Sequence, residues 1–257
     1  SFPYTRVPGV RLKPLGHLSL LFKFFYSLKY STSNKIMIAL PNILKPKYSY
    51  DLIRLGTDFD GGYLIERSSL INSNFLLSFG ISTNWDFERD FININKVGYL
   101  AFDGSVNEKF WNNLITNKLK RLSFSKALKF IIKKKQFYKF FNKKNFISKY
   151  IGKTMNNSIT LNKILLKIDK NKIFLKIDIE GSEYEILQEI LDNQSKILGL
   201  AIEFHQCNLN LKNIINFIEK FSLDLVHIHA NNYDKFHDNH IPDILEMTFA
   251  KDPKSMG

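Results

Sequence analysis

The sequence predicts an α/β fold built on a mostly parallel sheet with an antiparallel edge. Three observations carry that expectation. From residue 74 onward, short apolar runs alternate with longer segments of helical periodicity. The last two runs, Leu223–His229 and Ile244–Ala250, have no helix between them, as when an antiparallel pair ends a sheet. Third, Ile173-Phe-Leu-Lys-Ile-Asp-Ile-Glu-Gly-Ser-Glu183 reads as a buried strand that turns at a glycine into a helix. In an open α/β sheet, ligands bind outside the carboxyl ends of the strands, so Asp178 and Glu180, two apart and on one face, are placed for chemistry.

In chain order, residues 1–50 hold Pro3, Pro8, Pro14, Pro41 and Pro46 and read as an N-terminal arm with one helix between Leu18 and Tyr30. Arg54–Ile65 is a hairpin turning at Asp60-Gly61-Gly62, where the glycines can also let backbone approach a ligand. Asn74–Phe79 is a strand, Gly80–Glu88 turns into a helix, and Val97–Phe102 is a second strand ending in Asp103-Gly104. That pairing of a glycine turn with an acid about 20 residues later suits an adenosine-type ligand, the acid accepting ribose hydroxyls. About residues 106–155 form a basic helical insert of two helices whose Phe and Ile stripes face the core. Ser158–Leu166 leads to the strand 172–178, after which Ser182 caps a helix ending near Asn193. Ile197–Phe204 brings Glu203 and His205 to one face, a helix covers Leu211–Phe221, and Leu223–His229 carries His227 and His229. A loop with His237 and His240 precedes the final strand. Residues 51–257 read as one domain.

Composition excludes several classes. Hydrophobic residues make up 44% of the 257, with 23 Phe and 11 Tyr, so a disordered chain is excluded. A single cysteine, Cys207, leaves no intramolecular disulfide and no multi-cysteine zinc site. No apolar run approaches the ~20 residues that span a bilayer. The net charge of +13 is concentrated: Lys109–Lys153 holds 13 Lys and one Arg with no Asp or Glu. Such a segment is either a solvated helical face or a surface for a phosphorylated substrate, a membrane or nucleic acid.

Set side by side, Asp60-Gly-Gly-Tyr63, Ser78-Phe-Gly-Ile-Ser-Thr-Asn-Trp85, Phe102-Asp103, Ser158-Ile-Thr-Leu161, Lys176-Ile-Asp-Ile-Glu-Gly-Ser-Glu183, Glu203-Phe-His205, His229-Ala-Asn-Asn232 and Pro242-Asp-Ile-Leu-Glu246 resemble the FkbM family of S-adenosylmethionine-dependent methyltransferases. The resemblance runs over roughly 50–250, outside the arm and the basic insert. It implies a class I, Rossmann-like sheet of seven strands and methyl transfer to a hydroxyl, mostly on sugars and polysaccharide precursors. Carried over, Gly80 passes beneath the methionine end of S-adenosylmethionine, Asp103 holds the ribose and Asp178 faces the transfer site. Tyr63, Ser78, Phe79, Asn84, Phe102 and Gly104 complete the expected cofactor surface. The chain departs from the family's pattern in lacking a Gly-x-Gly-x-Gly turn at 78–84.

A sugar hydroxyl is a poor nucleophile, so a base that takes its proton helps the transfer. Asp178, Glu180, His205 and His229 are the candidates, with His205 favoured by its ordinary pKa and Asp178 or Glu203 orienting it. Asp178, His205 and His229 could together take a divalent ion, which would polarise the alcohol instead. The expected acceptor is a glycan or small molecule that is phosphorylated or nucleotide-linked, its phosphates held by the insert around Lys133, Lys134 and Lys135. A cytoplasmic enzyme is expected, with Phe137–Phe146 the segment to test for peripheral membrane contact. The competing readings are a basic nucleic-acid-binding module, from Lys interleaved with Phe and Tyr, and a methyltransferase-like partner without catalysis.

Overall fold

A computed structural model describes residues 23–29, 35–58, 61–231 and 241–256. The strands are β1 (Lys23–Lys29), β2 (Lys35–Pro41), β3 (Leu52–Leu55), β4 (Tyr63–Glu66), β5 (Phe75–Phe79), β6 (Gly98–Phe102), β7 (Phe146–Ile147), β8 (Tyr150–Ile151), β9 (Ser158–Ile159), β10 (Ile173–Ile177), β11 (Ile197–Phe204), β12 (Asp224–Ala230) and β13 (Leu245–Ala250). The helices are α1 (Arg67–Asn72), α2 (Asp86–Asn95), α3 (Glu108–Lys120), α4 (Phe124–Phe140), α5 (Leu161–Ile168), α6 (Leu187–Asp192) and α7 (Cys207–Lys220).

Seven strands form the main sheet in the order β12-β13-β11-β10-β5-β6-β7. β5, β6, β7, β10 and β11 pair in parallel, and β13 runs antiparallel to both β11 and β12. This is the expected mostly parallel sheet with an antiparallel last strand. Every residue of β10 is buried, because a strand central to a sheet covered on both faces has no solvated side. On one face, Leu77, Leu175, Ile177 and Leu200 meet α5, α6 and α7 through Ile164, Ile190 and Ile214. On the other, Leu76, Phe174 and Ala201 meet α1, α2 and the β3–β4 hairpin through Leu70, Phe91 and Ile65. Leu40 and Leu44 of the N-terminal arm are buried in the first of these cores.

Four local expectations need correction. Residues 23–29 are a strand, not a helix; they pair antiparallel with β2, as suits a segment with three aromatic side chains in seven residues. Residues 18–22 and Tyr30 lie outside the described residues, as do Asp60, His237 and His240. The hairpin is present, but its loop runs from Gly56 to Gly62 and is not a tight turn. Asp178 and Glu180 do not share a strand face: β10 stops at Ile177, and Glu180 is left-handed at φ 54°. Nor does Ser182 cap the next helix. Gly181, at φ 102°, starts a short 3-10 turn over Ser182–Glu185, a conformation that costs glycine little.

The basic insert does form two helices, α3 and α4, but the segment after them is part of the sheet. β7 pairs with β6 through Ala101–Phe146 and Phe102–Ile147 and makes one edge. Trp111, Phe137 and Phe141 are its buried stripe, packed against Ile81 and Trp85 of the loop after β5. Asn107 caps α3 by accepting from Phe110 N at 3.0 Å.

Candidate active site

Strand periodicity places the site. On the face shared with α1, α2 and the hairpin, inward positions of β5, β10 and β11 begin apolar and end polar. Leu76 is followed by Ser78, Phe174 by Lys176, and Ala201 by Glu203, each two residues on. Beyond the carboxyl ends stand Gly80, Asp178 and His205.

Lys176 is 5% exposed, and its ammonium donates to the Gly80 carbonyl at 2.7 Å and to Asp178 Oδ2 at 3.4 Å. Burial pushes its pKa down, but Asp178, Glu88 and Glu203 outweigh that and hold it above the ordinary value. Tyr63, buried on β4, donates its hydroxyl to Asp178 Oδ2 at 3.2 Å and Glu203 Oε2 at 3.4 Å. Burial, then the two carboxylates, push that phenol well up, so it stays a donor. Glu203 is raised by burial, with His205 opposing and Asp178 adding to the rise.

His205 is held at both ring nitrogens. Nδ1 lies 3.2 Å from Glu183 Oε1, and Nε2 lies 3.3 Å from Glu203 Oε1 and 3.5 Å from Glu180 Oε2. Glu183 is fully buried and also accepts from His205 N at 2.6 Å and Gly181 N at 2.8 Å. Burial alone would lower the imidazole, but the hydrogen bonds of Glu183 and Glu203 carry it up to about 11. The raised value favours the protonated ring, the form that donates to both carboxylates.

The other candidates fall differently. Asp178 is partly exposed, and its main chain is bound to the glycine turn, its N–H donating to Phe79 O at 3.0 Å. Glu180 has an exposed side chain that reaches the cluster only at its rim. His229, kept neutral by burial and Arg54, stands on β12, two strands from β11. In the sheet register Glu203 faces Glu246, and Glu246 faces His229, which puts His229 about 10 Å across the sheet from Glu203. Accordingly, among the described residues the group whose ligand atoms lie within 4.8 Å of one another is Asp178, Glu203 and His205, without His229. Lys176 lies against Asp178, and His205 against Glu203.

On the cofactor side, Gly80 has φ 77°, and a Cβ there would sit 1.6 Å from the Asp178 carbonyl oxygen, so no side chain fits. Asp103 Oδ2 accepts from Ile81 N at 2.9 Å and Ser82 N at 2.7 Å, and Oδ1 from Ser105 N and Oγ. Asp103 therefore ties the first loop to the end of β6. Asn84 accepts from Asp86 N at 3.2 Å at the start of α2 and lies against Gly61. The ring of Tyr150 packs against Gly104. Phe79 and Phe102 are buried and meet edge to face, and Ser78 donates to buried Glu88 at 2.5 Å. The side chains of these three are engaged with protein partners.

Lys176, Glu183, Glu88 and Tyr150 were not singled out from the sequence. The signal for Lys176 was there, as a lysine in the middle of an otherwise apolar strand must find a buried partner.

Residues 112–249 match the family model described as the methyltransferase FkbM domain. The chain belongs to the FkbM methyltransferase family. The match takes in most of the basic segment, which the motifs alone had left outside. Among solved structures, this FkbM-family chain is similar to a methyltransferase FkbM from Methylobacillus flagellatus KT, at 16% identity and TM-score 0.38 over 68% of this chain and 43% of that one. It is also similar to fibrillarin from Aeropyrum pernix in complex with natively bound S-adenosyl-L-methionine, at 9% identity and TM-score 0.37, covering 88% and 94%. A third is precorrin-6y C5,15-methyltransferase from Geobacter metallireducens GS-15, at 11% and 0.36, covering 72% and 85%. The chain thus spans less than half the length of the first of these. No curated protein matches it.

The family's cofactor is S-adenosylmethionine, and the strand ends fit it. Gly80 lets the turn after β5 pack directly on the Asp178 main chain, which sets the ends of β5 and β10 side by side, and Asp103 and the loop from Ile81 to Asn84 flank those ends.

Proposed function

We propose that the protein is an S-adenosylmethionine-dependent O-methyltransferase whose acceptor is a sugar hydroxyl, on a nucleotide-activated sugar or a surface-polysaccharide precursor. The observation that carries this reading is the carboxylate of Asp178, partly exposed at the end of β10 and adjoining the Gly80 turn. When bound, the cofactor supplies an electrophilic methyl group and leaves as a neutral thioether. Asp178 takes the proton of the acceptor hydroxyl as its oxygen bonds to that carbon. Lys176 and Tyr63 fix the Asp178 carboxylate, and His205, held by Glu183, positions Glu203 beside it. Much of the acceleration comes from holding donor and acceptor in line.

The phosphate part of the reading is supported by the basic helices. They pack on the loop after Gly80 through Trp85, with Lys133 Nζ 5.7 Å from the Trp85 ring centre. Positive charge next to the cleft suits a phosphorylated acceptor.

The test is a mass-spectrometric screen for single methyl gains on a panel of nucleotide sugars and lipid-free glycan phosphates. Asp178→Asn should lower kcat by about 10²–10⁴-fold, the usual contribution of a general base, while keeping S-adenosylhomocysteine affinity. Methylation confined to nitrogen or carbon acceptors, or a fully active Asp178→Asn variant, would sink the reading.

A further inference from the structure

The α3–α4 hairpin carries a second surface, unconnected to the cleft chemistry. Of the fourteen large hydrophobic side chains exposed among the described residues, seven fall between Leu119 and Tyr138. They are not scattered, as isolated surface hydrophobes are. Phe124, Leu128 and Ile132 recur every four residues and so line one face of α4, while Leu122, 76% exposed, stands at the turn between the helices. This stripe is separate from the buried one of Trp111, Phe137 and Phe141, so Phe137–Phe146 is not the exposed apolar segment. Around it, Lys118, Lys120, Arg121, Lys126 and Lys129 have no carboxylate partner among the described residues.

We infer that the tip of this hairpin docks on an anionic lipid bilayer. An amphipathic helix with an aliphatic stripe and flanking lysines lies in the interfacial plane, its stripe among the acyl chains and its cations at the headgroups. Charge complementarity selects the occupant. A second copy of the hairpin would set one segment with 14 cations and no acid against another, which is repulsive. Nucleic-acid platforms stack bases on aromatic rings, whereas the exposed stripe is mostly Leu and Ile. The hairpin is fixed to the loop after Gly80 through Trp85, so docking holds the cleft at a set height above the surface.

The experiment is co-sedimentation of the full chain with vesicles of phosphatidylcholine alone and of phosphatidylcholine containing phosphatidylglycerol. Binding is expected to the anionic vesicles, falling as salt rises. Leu122→Ser with Phe124→Ser and Leu128→Ser should weaken it at least about tenfold, since each side chain removed is apolar area otherwise buried in lipid. That variant should keep its affinity for S-adenosylhomocysteine, which verifies its fold. A second variant, Lys126→Glu with Lys129→Glu, should also lose anionic-vesicle binding. The inference is overturned by any of three results: no binding to anionic vesicles, unchanged binding of the serine variant, or salt-sensitive binding to a single-stranded RNA oligonucleotide without vesicle binding.

Discussion

Glu183→Gln isolates the part of the site that holds His205. Glu183 makes three contacts: with the main-chain N–H groups of Gly181 and His205, and with the ring Nδ1. Glutamine keeps the shape and removes the charge. A rise of the imidazole from its ordinary ~6.5 to about 11 is worth ~6 kcal/mol of coupling at 1.36 kcal/mol per unit. Two buried carboxylates share it, and removing one charge-assisted hydrogen bond ordinarily costs ~1.5–3 kcal/mol, so a loss of ~2–3 kcal/mol near pH 7 is expected. The folded value lies above the unfolded one. This stabilisation is therefore complete below ~6.5 and is lost as pH rises toward about 11. Urea denaturation of both proteins across that window should show their stabilities converging as pH rises. An NMR titration of His205 in the parent protein checks the premise. A ring that titrates near 6.5, or a variant as stable as its parent at pH 7, refutes the reasoning.

Three further outcomes follow from the same geometry. Gly80→Ala puts a Cβ onto the Asp178 carbonyl at an unfavourable positive φ, so it should abolish S-adenosylhomocysteine binding by calorimetry or leave the protein insoluble. Exhaustive chelation should leave methyl transfer unchanged, because Lys176 and His205 already partner the carboxylates that a divalent ion would need; restoration of lost activity by added magnesium would show otherwise. Replacing Lys133, Lys134 and Lys135 by Met should raise the KM of a phosphorylated acceptor several-fold and leave cofactor affinity alone; equal kinetics would remove the hairpin from acceptor binding.

The sheet was legible because its signals are local. Apolar runs bounded by Gly80, Asp103 and Gly181 mark where strands stop, and the lack of helical periodicity in the sequence between the last two runs marks the antiparallel pair. The N-terminal strand was not, since Lys23–Lys29 becomes a strand only by pairing with Lys35–Pro41. At the site, the residues at strand ends were legible and their protonation was not. His205 looks like a base when read alone. Its raised pKa depends on Glu183, brought to it by the turn at Gly181, and on Glu203, two residues back along the strand. His229 matched the pattern equally well, but the insertion of β13 beside β11 moved it away, a consequence of strand order rather than of composition.

The junction at Gly80 has a thermodynamic consequence. Its N–H is donated to Phe102 O, its carbonyl accepts from Lys176, and its Cα face rests on the Asp178 main chain. A ligand that shifted this turn would press on the Asp178 main chain and on Lys176, which also holds the Asp178 carboxylate. Under the proposed function, cofactor and acceptor would share one free-energy coupling, and linkage makes such a coupling reciprocal: whatever factor the first gains for the second, the second returns to the first. That coupling would run through three contacts around a residue that has no side chain.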